Sequence, residues 1–430
     1  MKTNSVCMKT PVLMSISTFF QLFFILPISF VHIVLKVMMV CFLFYAPAQA
    51  FKTLTEAKKF EKAFDENEAA KSDVGEFKKT LRQVVNQRQN VGYKGRYVVK
   101  ITPYPGSRFV VWGPVKGAFK SLIRSLTYLQ EKAIISDDFK IQAPDTYFVF
   151  LGDVLDGTEH ALETLMLVLS LMKANPASVI YIRGHREDYL HWQNNGLKKA
   201  LKDKAHSVSS EKIPLGRSIT RFFETLPLAL YIAGEHPQDG LVRLSYFGGE
   251  VKELEERSCP ALTSSRMVNV PELCFLTNRF ARAPLLVKAM IKAEDRVMSY
   301  KYYSGLTLGE PDRGAIAWIA FSGPTPKYQK DYQFYYDAFS IITTAARVQD
   351  FRITLYNRDM RGLDPFAPVG TYALLSGQKM SEKKKERARQ SDTSLLAQIE
   401  KLQERIKILA REVVQYRQIV HALPIKGEVV

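Results

Sequence analysis

The side chains of this sequence best suited to acid–base or metal chemistry are Asp153, Asp156 and His185. Each follows an apolar, β-rich run. Tyr147 to Leu151 leads into Gly152-Asp153-Val154-Leu155-Asp156-Gly157, and Val179 to Ile182 leads into Arg183-Gly184-His185-Arg186-Glu187. Carboxylates and imidazoles on strand-end loops are the donors with which a protein holds divalent cations. Metal-assisted phosphoester hydrolysis needs two such cations side by side, to grip phosphate oxygens and to generate hydroxide at neutral pH. No other nucleophile–base pair stands out. His160, His191 and His236 are scattered and read as surface or packing residues. Asp153 and Asp156 also have a plainer reading, as turn and buried salt-bridge residues.

The elements that must position these groups alternate in type. Tyr97-Val98-Val99, Phe109 to Trp112, Tyr147 to Leu151 and Val179 to Ile182 read as strands. Ser121 to Glu131 and Leu162 to Lys173 read as helices. Strand and helix in alternation predict an α/β class, with functional loops at the carboxyl ends of the strands. Residues 51–94 form an amphipathic helical segment, with Phe51, Leu54, Ala57, Phe60 and Phe64 at helical spacing. It either packs on the main domain or spaces it from a membrane. The main domain is expected over 95–378, followed by a charged linker, 379–392.

The order of these pieces resembles the phosphoprotein phosphatase type of the calcineurin-like metallophosphoesterase superfamily. Its series runs GDxHG, GDxxDRG, GNHE and two later histidines. Gly152 to Gly157, the Leu162-Glu163-Thr164-Leu165 helix and the strand ending Arg183-Gly184 are similar to the middle of that series. Leu226-Pro227-Leu228-Ala229, Leu244 to Gly249 and Trp318 to Thr325 resemble later segments. The resemblance implies a metallophosphoesterase-type β-sandwich flanked by helices.

Within that pattern the ligands are largely replaced. The first motif reads Gly113-Pro114-Val115-Lys116-Gly117, with Pro114 and Lys116 where the family has metal-binding Asp and His. Asp153 matches the bridging aspartate, and Asp156 the residue that orients the catalytic histidine. Gly157 replaces a substrate-gripping arginine, His185 the Asn ligand and Arg186 the general-acid histidine. Phe247 and Arg358 fall at the two later histidines. The resemblance therefore implies no cofactor. Were the chain active, Asp153 and His185 would be its metal candidates, for Mn, Fe or Zn, and Asp156, His185 and Arg186 its catalytic candidates. Lys116, Arg186 and Arg358 return positive charge to a pocket that lacks the cations, and form an anion-binding set.

Three functions are compatible with this: a pseudophosphatase that binds a partner or phosphorylated ligand, a phosphoesterase with a rearranged or mononuclear site, and a structural spacer. Sixty Lys and Arg against 43 Asp and Glu give a formal charge of +17, which favours acidic partners. No basic repeat interleaved with aromatics and no nucleic-acid motif accompanies it, so nucleic acid is not the favoured one. Cys259 and Cys274 show no CxxC spacing, and both a disulfide and two free thiols remain open.

The termini add two expectations. Residues 11–35 carry no formal charge, and a second apolar run, Val37 to Tyr45, ends in Ala46-Pro47-Ala48-Gln49-Ala50. Residues 1–50 read as a secretory signal cut after Ala50 or as an uncut membrane anchor, which predicts a membrane-associated or exported protein, periplasmic or secreted in a bacterium. Over 393–423, Ile399, Ile406, Val413 and Val420 alternate with mainly leucine positions at heptad spacing, ahead of a short tail, 424–430. β-Branched a positions with leucine at d predict a parallel coiled-coil homodimer.

Overall fold

The structure, a computed structural model, describes residues 51–65, 74–90, 93, 97–155, 160–194, 196–204, 212–236, 239–246, 272–275, 287–293, 306–308, 316–320, 336–359, 364–380 and 405. The N-terminal run 1–50, Asp156, Gly157, Phe247 and Cys259 lie outside these residues, as do nearly all of the charged linker and the heptad stretch. Among the described residues no helix is long and apolar enough to cross a membrane.

The chain begins with α1 (Leu54–Asp65) and α2 (Val74–Asn90), then β1 (Tyr97–Ile101) and β2 (Arg108–Trp112). Next come α3 (Phe119–Glu131), β3 (Thr146–Phe150), α4 (Ala161–Ala174) and β4 (Val179–Tyr181). Three helices follow, α5 (Tyr189–Asn194), α6 (Gly196–Lys204) and α7 (Lys212–Glu224). The remainder is strands: β5 (Ala229–Ala233), β6 (Leu241–Ser245), β7 (Glu272–Phe275), β8 (Val287–Ala293), β9 (Leu306–Leu308) and β10 (Ile316–Ala320). The last three are β11 (Tyr336–Thr343), β12 (Arg352–Asp359) and β13 (Ala367–Ala373).

These strands form two mixed sheets, one of six strands ordered β13-β12-β11-β2-β3-β4 and one of seven ordered β7-β1-β5-β6-β8-β10-β9. In the first, β2, β3 and β4 run parallel and β11 runs against β2. The sequences of β2 and β3, Arg-Phe-Val-Val-Trp and Thr-Tyr-Phe-Val-Phe, are almost continuously apolar because both faces are covered. Phe109, Val111, Tyr147 and Val149 enter one apolar cluster together with Val99, Leu230, Ile232, Val242 and Leu244 of the other sheet. Alternate residues Val110, Trp112, Phe148 and Phe150 enter a second cluster with the helices. A period of two thus sorts each strand between two cores.

Helix α4 is buried at every position from Ala161 to Met172, as its all-round apolar sequence demands. Helix α2 contacts both α4 and α7, and its Phe77, Leu81 and Val84 are buried in the same cluster. Each such side chain contributes roughly 1.5–3 kcal/mol. Arg88, near the end of α2, is buried and hydrogen-bonds the Thr225 carbonyl at 2.6 Å and the Tyr97 hydroxyl at 2.9 Å. The segment before residue 95 is therefore joined to the β-containing body by apolar and polar contacts alike.

Candidate functional site

Parallel strands leave their carboxyl ends side by side, so the loops after β2, β3 and β4 meet. Backbone hydrogen bonds dock the loop after β2 on the loop after β3: Lys116 N–H donates to the Asp153 carbonyl and Gly117 N–H to the Val154 carbonyl, both at 2.8 Å. Lys116 and Asp153 both adopt left-handed backbone, with φ of 51° and 46°. Such φ values are uncommon for side-chain-bearing residues and mark a tightly determined turn.

The close approach of the loops after β3 and β4 depends on two glycines. A Cβ on Gly152 would lie 2.6 Å from the Cα of Gly184, and one on Gly184 would lie 2.2 Å from the Asp153 nitrogen. No side chain fits either place.

Asp153 is fully buried at 0% exposure, and hydrogen bonds reach both of its carboxylate oxygens. Arg186 N–H donates to Oδ1 at 2.8 Å, and the Tyr246 hydroxyl donates to Oδ2 at 2.7 Å. Glu187, 1% exposed, lies beside it. Its Oε2 accepts from Asp153 N–H and Gly184 N–H, both at 2.8 Å, and its Oε1 from Val154 N–H at 3.1 Å and the Tyr181 hydroxyl at 2.7 Å. These donors favour the ionised carboxylate, but burial and then the charge of Asp153 oppose it. The opposition wins and pushes the Glu187 carboxyl up to about 7. Burial and the Glu187 charge hold the Tyr181 hydroxyl well above its usual range, so it remains a donor.

Of the residues singled out in the sequence, the structure brings Asp153, Lys116, Arg186 and His185 to these loops. His185 is exposed, with its ring 4.0 Å from that of His191, whose Nδ1 lies 3.5 Å from Asp188. Arg358 is elsewhere. It sits at the corresponding end of β12, three strand spacings or about 14 Å from β3, and its Nε donates to the Asp364 carbonyl at 2.7 Å.

Sequence reasoning missed Tyr246. The motif comparison pointed to its neighbour Phe247, but β alternation is the better guide. Val242, Leu244 and Tyr246 all enter the inter-sheet cluster, so the tyrosine faces the β3 loop.

The metal pair implied by the resemblance needs several open oxygen and nitrogen donors around Asp153. Here hydrogen-bond donors occupy both Asp153 oxygens, and Glu187 is enclosed by N–H and O–H groups. No group of three or more His, Cys, Asp or Glu among the described residues is arranged to hold a metal ion. The described residues do not fit a dinuclear centre.

No family model matches the chain. Among solved structures it is similar to a protein serine/threonine phosphatase from Saccharomyces cerevisiae with similarity to human phosphatase PP5. The identity is 14%, the TM-score is 0.41, and the match covers 66% of this chain and 89% of that one. It is also similar to a cold-active protein-tyrosine phosphatase of a psychrophilic Shewanella. There the identity is 15%, the TM-score is 0.35, and the coverage is 63% of this chain and 82% of that one. Both neighbours are protein phosphatases, but TM-scores of this size do not establish a shared fold.

Proposed function

We propose that this chain is a phosphoprotein-phosphatase-like domain, built as a metallophosphoesterase-type sandwich, that binds without hydrolysing. The observation that carries the reading is the state of Asp153. The carboxylate best matched to the family's bridging ligand is enclosed, with one oxygen on Arg186 N–H and the other on the Tyr246 hydroxyl. A side chain so engaged neither coordinates a metal pair nor reaches a substrate. Lys116 and Arg186, both half-buried at the rim of these loops, give the surface above it a cationic character suited to a phosphate or other anion. Arg358, on β12, lies too far away to join them. The heptads of 393–423 supply dimerisation and residues 1–50 membrane attachment or export, which together make the molecule a scaffold.

The test is metal analysis of the purified chain, with turnover of an aryl phosphate measured in added manganese. The expected result is substoichiometric metal and no turnover above buffer. Stoichiometric manganese, with turnover lost in Asp153→Asn, would establish instead a phosphoesterase with a rearranged site around Asp153, Asp156 and His185. A melting temperature raised by phosphate or a phosphopeptide would favour binding over a role as spacer.

A further inference from the structure

We infer that the outward face of α6 and α7 is a docking surface for an anionic lipid bilayer, acting together with the apolar N-terminal run. In α6, Leu197, Ala200 and Leu201 are buried while Lys198, Lys199 and Lys202 are exposed. On a helical wheel the three lysines lie on the side opposite the buried three. In α7, Ile219, Phe222 and Phe223 are buried, and Arg217 and Arg221, one turn apart, are exposed. Among the described side chains of the two helices, Glu224 is the exposed group that offsets these cations.

The helices are neighbours. A Cβ on Gly216 of α7 would meet the Trp192 ring of α5 at 3.6 Å, and α5 contacts α6. The inner sides of α1, α6 and α7 all enter the cluster on one face of the six-stranded sheet. The exposed cations of α6 and α7 therefore lie on the sides turned away from that cluster.

The choice of a bilayer over a soluble polyanion comes from the chain just ahead of α1. Phe51 is buried, stacked on Phe119 with ring centroids 5.6 Å apart and edge-on to Phe60 at 5.6 Å. The apolar run ends at Tyr45, so residues 46–50, about 17 Å at full extension, are all that separate it from a side chain fixed in the core. A run held by lipid keeps the helix layer near the headgroups. There each exposed Lys or Arg within a Debye length of about 8 Å adds about 1 kcal/mol, a fivefold gain in partition. One apolar anchor plus one basic face is the paired-signal arrangement that makes membrane attachment stable. The inference uses the expectation for residues 1–50 but not the phosphatase-like reading, so metal and turnover assays leave it standing.

The test is flotation of the full chain with phosphatidylcholine vesicles, and with vesicles in which phosphatidylserine replaces part of the lipid. The readout is the ratio of the two partition coefficients, which cancels the contribution of the apolar run. The ratio is expected to exceed one, to fall with added salt, and to drop by roughly two orders of magnitude in K198Q/K199Q/K202Q. R217Q/R221Q should lower it further in the same background, with melting temperature and binding to neutral vesicles unchanged. A wild-type ratio near one would overturn the proposal, as would a triple variant that partitions like wild type. Loss of RNA or phosphopeptide binding in that variant, with its vesicle ratio intact, would assign the face to a soluble polyanion and equally overturn it.

Discussion

Replacing Tyr246 by Phe removes a single hydroxyl from the region between the sheets and leaves its ring in place. The group it serves, Asp153 Oδ2, has a 2.7 Å contact to that hydroxyl and belongs to a residue with 0% exposure. Hydrogen bonds to charged groups are worth about 1.5–3 kcal/mol, and this carboxylate is buried away from water. For a domain of more than about 200 residues each kcal/mol moves the melting temperature by on the order of 2 °C, so Tyr246→Phe should melt about 3–6 °C lower. The assay is thermal and urea unfolding of four proteins: wild type, Tyr246→Phe, Asp153→Asn and the double variant. If the hydroxyl acts through the carboxylate, its removal should cost less than about 1 kcal/mol in the Asp153→Asn background, because the charge it served is gone. Equal costs in the two backgrounds would refute the coupling. Manganese supplies a second arm. A cation held by Asp153 at a hundred times its dissociation constant would stabilise the fold by about 2.7 kcal/mol, whereas the expected shift in wild type is nil.

Glu187 makes stability pH-dependent in a known direction. Its folded value of about 7 stands above the ordinary 4.5, so the folded chain holds this proton more tightly than the unfolded one. Its contribution is therefore present in full below about 4.5 and is lost as pH rises through about 7, a swing of up to about 3 kcal/mol. Glu187→Gln lacks that slope, and the gap in melting temperature should widen in favour of wild type between about pH 7.5 and about pH 5; a constant gap would count against the assignment. Gly184→Ala places a methyl 2.2 Å from the Asp153 nitrogen and 2.5 Å from Glu187 Oε2. It should cost more than about 4 kcal/mol, visible as insoluble expression or loss of a cooperative melt. Gly106→Ala, at φ 86° with open space around it, should cost only about 1–3 kcal/mol.

Much of the α/β frame was legible because it is local. The Tyr97, Phe109, Tyr147 and Val179 runs became β1 to β4 within a residue or two, and the helices after β2 and β3 fell where amphipathic and apolar spacing put them. Strand partnership was not legible. β1 and β2 are adjacent in sequence yet belong to different sheets, and β1 pairs with β5 from beyond residue 228. Local pattern holds no information on so distant a register. Motif order drew attention to the loops bearing Asp153 and Glu187, but it described them as emptied ligand positions. Tyr246, 93 residues away from Asp153, donates to it through a tertiary contact that no local pattern encodes.

The lid that α2 places over α4 has a practical meaning for where this protein can be cut. A fragment starting at the first strand would bare the outer flank of a helix that has almost no polar side to present, along with the pocket vacated by Arg88. Such a fragment would be sticky however intact its sheets. A fragment meant to stay soluble should therefore begin ahead of α2, some twenty residues before the first strand.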